Sequence, residues 1–210
     1  MRSTSPIRPC LAATPCSAPA PDTCSTSLLA PIKIGSIEIK NRLAMAPMGI
    51  VGLVNPDGSP GPRAIDYFLE RAKGGVGLII TGLFKVEADI EQWTTPPALV
   101  TPKVISPFSE LAESIHALGG RIFVQLTAGF GRVLRPRLVK TTPVSASAIP
   151  YFWEPEITCR ALETEEVEKI VTSFGAAAEI LAVAGIDGVE LHGHEGYLFD
   201  QFATPIWNHR

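Results

Sequence analysis

The sequence predicts an α/β fold: a (β/α)8, TIM-type barrel truncated after its fourth strand. Three observations carry this. Short β-branched runs alternate with amphipathic helical stretches from Leu28 onward, as parallel strands joined by crossover helices require. Each run ends in a distinctive cluster: Pro47-Met48-Gly49, Thr81-Gly82, Gln125-Leu126-Thr127 and His192-Gly193-His194-Glu195. Special groups at the C-terminal ends of several parallel strands are how a barrel builds its working face. No G-x-G-x-x-G follows any strand, which disfavours an open doubly wound sheet.

The elements follow in order. Residues 1–27 are rich in Pro, Ser, Thr, Ala and Cys and contain no aromatic residue, so they are expected to be disordered. Arg2 and Arg8 against a single acid, Asp22, resemble an organelle transit peptide weakly; an extension with no role is an equal alternative. Residues 28–210 form the folded part. Pro31 to Ile39 alternates apolar and polar residues around Gly35-Ser36, a hairpin signal. Arg42 to Pro47 reads as a short strand, and Ala64 to Lys73 as a helix stopped by Gly74-Gly75. Val76 to Thr81 is a buried strand. Pro107 to Leu118 is a helix closed by Gly119-Gly120, and Arg121 to Leu126 the next strand. Thr164 is placed to cap the longest helix, whose apolar stripe is Val167, Ile170, Val171, Phe174, Ala178 and Leu181. Ile186 to His192 is the last strand.

Composition narrows the function. Of 210 residues 46% are apolar and 19% charged, with a net charge of -3. The longest apolar stretch, Ala176 to Gly188, is broken by Glu179, Gly185 and Asp187, short of the roughly 18 residues a membrane span needs. The charge balance offers no basic field for nucleic acid. The four cysteines, Cys10, Cys16, Cys24 and Cys159, form no C-x-x-C pair, and no apolar signal segment follows Met1. A cytoplasmic enzyme acting on a small molecule is expected.

Asn41-Arg42-Leu43-Ala44-Met45-Ala46-Pro47-Met48 resembles the first-strand signature of the Old Yellow Enzyme and 2,4-dienoyl-CoA reductase-like flavin oxidoreductases. Gly77 to Gly82, Val124-Gln125-Leu126 with Gly131-Arg132, and Val189 to His192 leading into Glu195-Gly196-Tyr197-Leu198 fall in the family's order. Asp200 to Pro205 and Asn208-His209-Arg210 resemble the stretch that follows. The resemblance covers about Leu28 to Arg210 and implies FMN over the barrel mouth, with NAD(P)H as reductant.

Residue by residue, it implies flavin contacts from Ala46, Pro47, Met48, Gly49 and Gly82. Gln125 would hydrogen-bond the ring's pyrimidine side, since an amide both donates and accepts. His192 would hold cofactor or substrate oxygen, Tyr197 would donate a proton, and Glu195 would orient it. Glu195 stands where many members carry His or Asn, which resembles the dienoyl-CoA reductase branch. Gly49 departs from the threonine or cysteine common at that position, so the flavin potential is open. Arg132 matches an arginine near the substrate entrance. Arg135, Arg137 and Lys140 form a basic stretch suited to steering the phosphates of an anionic thioester, or simply a solvated face. The implied reaction is hydride transfer from reduced flavin to the activated C=C of an enone, enoate or enoyl/dienoyl thioester.

Three rival readings stand beside it. His192, His194 and Glu195 offer metal-ligand chemistry, but neither His116 nor His209 stands out as a further ligand, and no metal is expected. An aldolase would need a Schiff-base lysine at a strand end, and Lys85 is poorly placed for that. Because about 250 residues are typical of a full barrel, a catalytically incompetent fragment or interaction module is the alternative from another class. Open barrel edges would then favour self-association. In the family, an iron–sulfur cluster and FAD belong to a C-terminal part, outside the matched region.

Overall fold

The structure, a computed structural model, describes residues 27–49 and 52–210. Of the segment expected to be disordered, residues 1–26, with Cys10, Cys16 and Cys24, lie outside the described residues, and Ser27 begins a short helical turn.

The hairpin forms as expected. β1 (Ile32–Ile34) and β2 (Ile37–Ile39) pair antiparallel with Ile34 opposite Ile37. Gly35 takes φ 59° at the turn, a conformation that suits a residue without a β-carbon. Arg121 Nε donates to the Glu38 carbonyl (3.1 Å) and Lys40 Nζ to that of Leu118 (2.7 Å), which fixes the hairpin beneath the strands, away from their C-terminal ends.

β3 is confined to Ala44–Met45, because Pro47 has no N–H to extend the ladder. α1 (Pro62–Lys73) begins at Pro62 rather than Ala64, with proline in the first turn, where its missing donor is harmless. Gly75, at φ 93°, turns the chain into β4 (Leu78–Ile80), and β5 (Phe84–Lys85) follows. α2 (Ile105–Ala117) leads through Gly119, at φ 70°, into β6 (Arg121–Thr127). A long excursion then contains β7 (Val144–Ser145) and β8 (Arg160–Ala161), paired in parallel, where no element was expected. α3 (Thr164–Val183), β9 (Gly188–Leu191) and the short α4 (Leu198–Ala203) complete the chain.

β3 pairs with β4, β4 with β6, and both β5 and β9 with β6, always parallel. The main strands therefore lie side by side in chain order, the arrangement of a barrel wall. Alternation along β6 assigns the two faces. Ile122, Val124 and Leu126 are fully buried against Phe108, Leu111 and Ile115 of α2 and Ala177 and Leu181 of α3. Burying each such large side chain stabilises by roughly 1.5–3 kcal/mol. Gln125 and Thr127 point to the opposite, inner face and are almost as deeply buried.

Two details of α3 differ from expectation. The cap is Glu163, not Thr164: the Glu163 N–H donates to Glu166 Oε2 at 2.9 Å, and Thr164 is already helical. Val171 is 65% exposed, because the buried stripe runs through Ile170, Ala177 and Leu181, and Val171 lies about 100° around the helix from Ile170. Among the described residues no helix is long and apolar enough to cross a membrane.

Candidate active site

The C-terminal strand ends open on a cavity of about 870 Å³. The segment after β3 contributes Pro47 and Gly49 to its wall, β6 contributes Gln125, and the turn after β9 contributes His192, His194, Glu195 and Tyr197. Ala46 and Met48 are exposed in the same segment but do not line the cavity. Gly82 is buried behind it: a β-carbon there would overlap the Met48 carbonyl, so this glycine lets the 48–49 segment close onto the end of the second barrel strand. Arg132 also lies off the wall, its guanidinium 4.0 Å above the Trp207 ring and its Nε donating to the Pro150 carbonyl at 3.2 Å. Lys85, the rejected Schiff-base candidate, is fully buried and does not reach the cavity.

Gln125 Nε2 donates to Glu190 Oε1 at 2.8 Å, across the β6–β9 pair that places these two residues opposite each other. The amide is thereby oriented from behind. His192 is 4% exposed, and its Nε2 lies 3.5 Å from Glu195 Oε2 while its buried Nδ1 has no partner. Burial, aided by neighbouring His194, holds its pKa below the usual histidine range despite Glu195. The imidazole is therefore neutral at neutral pH.

The Tyr197 ring stacks on His192 with centroids 4.7 Å apart and 20° between planes. Burial first, then the charge and hydrogen bonding of Glu195, push its phenol up to about 12. Glu195 occupies the left-handed region at φ 64°, an unfavourable conformation for a residue with a β-carbon, followed by Gly196 at φ 69°. α4 holds this turn in place: the Gly196 N–H donates to Asp200 Oδ2 (3.0 Å) and Gln201 Nε2 donates to the Gly196 carbonyl (2.6 Å).

Behind Tyr197 stands an aromatic wall that sequence reading missed. Phe130 packs on Tyr197 with centroids 4.4 Å apart, and Trp93 stacks on Phe130 at 4.8 Å. A buried carboxylate fixes both. Glu91 accepts from Lys85 Nζ (3.2 Å), Trp93 Nε1 (2.7 Å), the Phe130 N–H (2.9 Å) and the Gly131 N–H (2.5 Å). Gly129 must be glycine, because a β-carbon would overlap that carboxylate. From the other side Gln201 donates to the Phe130 carbonyl (3.1 Å) and accepts from the Arg132 N–H (3.2 Å) and Ser145 Oγ (2.8 Å). The 129–132 segment is thus gripped between Glu91 and Gln201.

The ligand atoms of His192, His194 and Glu195 lie within 4.8 Å of one another, so the trio considered for a metal does come together. His116 instead meets Asp187 Oδ2 at 2.7 Å and His209 Nε2 meets the Ile206 carbonyl at 3.2 Å, so neither adds a ligand.

Comparison with known proteins gives this geometry its family. The NADH:flavin oxidoreductase / NADH oxidase family matches residues 27–210. The chain belongs to that family. Cinnamate reductase of Clostridium sporogenes is 51% identical over 185 residues, covering 86% of this chain and 28% of the relative. An NADH oxidase of Thermoanaerobacter brockii is 40% identical over 185 residues, covering 85% and 27%. Among solved structures, the Old Yellow Enzyme homologue of Zymomonas mobilis superposes with a TM-score of 0.74 at 30% identity, covering 88% of this chain and 53% of that one. Old Yellow Enzyme from Pichia sp. AKU4542 gives 0.76 at 28% identity, covering 89% and 50%. The chain thus spans about a quarter to a half of the length of these proteins.

Membership of this Old Yellow Enzyme-like flavin oxidoreductase family implies FMN and a nicotinamide reductant, and the residues present fit a flavin. A buried imidazole nitrogen without a partner, an amide oriented by Glu190 and side-chain-free backbone at Gly49 share one cavity. These are the donor, the mixed donor–acceptor and the close approach that a flat heteroaromatic ring with a polar edge needs.

Proposed function

We propose that this chain carries the flavin and alkene sites of an FMN-dependent ene-reductase that uses NAD(P)H. The observation that carries the reading is the Tyr197 phenol, stacked on His192 at the cavity wall and pushed up to about 12. Such a group keeps its proton at neutral pH and releases it only to a strongly basic centre, such as a carbanion beside a carbonyl.

A flavin held at this cavity would supply hydride chemistry toward the electron-poor alkene carbon, with NAD(P)H as its reductant, and Gln125, Pro47 and Gly49 would hold the ring. His192, neutral, donates an N–H to the carbonyl oxygen of the alkene substrate, where negative charge develops. Tyr197 gives its proton to the other alkene carbon, and Glu195 sets the direction of the phenol. Phe130 and Trp93 exclude water from this proton. The substrate is an enone, enoate or enoyl thioester.

Anaerobic incubation of the protein with FMN, NADH and cinnamate or 2-cyclohexenone in D2O tests this. The expected product is the saturated compound, with deuterium at the carbon next to the carbonyl. NADH consumption without alkene reduction would reject it.

A second reading has its own support. β9 pairs on one side only among the described residues, and Val183 (72%) and Leu191 (50%) are exposed near it. A module that binds another chain through this edge without turnover is the alternative. It predicts concentration-dependent association by analytical ultracentrifugation and no flavin colour.

A further inference from the structure

We infer that Arg135 and Arg137 form a built anion subsite at the cavity rim, selecting alkenes with an apolar body and a carboxylate or phosphate. The inference rests on the proposed ene-reductase reading and names the substrate class of that same site. It replaces diffuse steering with two fixed groups.

Both arginines line the cavity that Tyr197 and His192 share, and both are exposed to it. Among the described residues neither forms an ion pair, whereas Arg121 and Arg160 are paired with acids. The acid on the cavity wall, Glu195, forms no ion pair with either arginine; its Oε2 lies 3.5 Å from the neutral His192. Two guanidinium groups, each with five donors in a rigid fork, thus stand at the rim without a carboxylate partner among the described residues, that of Arg135 5.9 Å over the Trp153 ring.

The backbone that carries them is held at both ends. Leu134, just before Arg135, is buried and its carbonyl accepts the Tyr151 hydroxyl at 2.5 Å. The Arg137 carbonyl accepts from Thr94 Oγ1 (2.7 Å) and the Leu138 carbonyl from the Thr94 N–H (2.9 Å). Between these anchors the Leu138 N–H closes a turn on the Arg135 carbonyl at 2.8 Å. Fixed attachment points reduce the ordering cost of binding an anion. The adjoining wall is Phe130, Val133 and Trp93, which suits an apolar or aryl body and offers no anion contact of its own. Arg132 and Lys140 do not line the cavity, so position rather than local charge density selects the pair.

Calorimetric titration of the FMN-treated chain with unreactive probes tests this without turnover. The probes are 3-phenylpropanoate, its neutral amide and coenzyme A. The acid is expected to bind about tenfold or more tighter than the amide, a preference that shrinks as salt rises. Arg135→Gln/Arg137→Gln should abolish that preference while leaving amide affinity and melting temperature unchanged. A preference for coenzyme A that the double variant also loses assigns the subsite to thioester phosphates; a preference confined to the acid assigns it to free carboxylates. Equal binding of acid and amide with no arginine-dependent binding of coenzyme A, or an acid preference that survives the double variant, would overturn the inference. Protein that emerges colourless when desalted from excess FMN yet still shows the arginine-dependent preference would count against the flavin reading alone.

Discussion

Tyr197 lies against His192 with ring centroids 4.7 Å apart and 20° between planes, so the proposed proton donor and the proposed oxygen-binding group form one packed unit. Tyr197→Phe keeps the packing and removes only the proton. In stopped-flow experiments, flavin reduction by NADH should continue at the parent rate while alkene reduction falls by about 10²–10⁴-fold. Equal losses in both half-reactions would show that Tyr197 serves structure rather than proton transfer.

Histidine burial makes stability depend on pH. His192 is held below its ordinary 6.5 by burial and by His194, so the unfolded chain takes up a proton that the folded one refuses. This contribution is complete above pH 6.5 and is lost as pH falls below it. The melting temperature of the parent should therefore drop between pH 7 and 5 more steeply than that of His192→Gln. Parallel curves would mean that His192 titrates alike in both states.

Glu91 and Lys85 are buried together, and the carboxylate receives four donors. An amide offers one acceptor oxygen and directs N–H groups at donors. Glu91→Gln should cost about 3–5 kcal/mol in urea unfolding, because Lys85 is left as an uncompensated buried charge. Lys85→Met/Glu91→Gln should recover part of that loss. It should not fully restore the parent's tryptophan fluorescence, since one amide oxygen cannot accept from Trp93, Phe130 and Gly131 together. Full recovery of stability and emission together would show that the carboxylate does not hold the wall.

Periodicity made the frame legible before any coordinates. The strand from Arg121 to Leu126 is legible as a buried apolar run, and the family resemblance singles out Gln125 within it; the two faces, Ile122, Val124 and Leu126 against Gln125 and Thr127, are resolved by burial in the structure. Strand-end chemistry brought Pro47, Gln125, His192 and Tyr197 to one mouth. What periodicity misses is side-chain traffic between loops. Glu91 sits in an irregular segment, and its partners Phe130 and Gly131 are distant in sequence. Gln201 lies in a helix of six residues whose pattern says nothing of the four backbone and side-chain groups it binds. Thr164 and Glu163 are both credible caps, and only the reach of Glu166 back to the Glu163 N–H separates them. Arg135, Arg137 and Lys140 likewise read as one basic stretch, and Arg132 as an arginine of the entrance; in the structure Arg132 lies on Trp207, while Arg135 and Arg137, but not Lys140, line the cavity.

Flavin binding by this chain tests the account most directly. FMN fluorescence titrated with the purified protein should quench saturably toward one flavin per chain, and Gln125→Leu and His192→Ala should each weaken the binding about tenfold or more, as loss of a buried hydrogen-bonding partner does. Quenching that fails to saturate, or that both variants leave unchanged, would contradict a flavin site at this cavity.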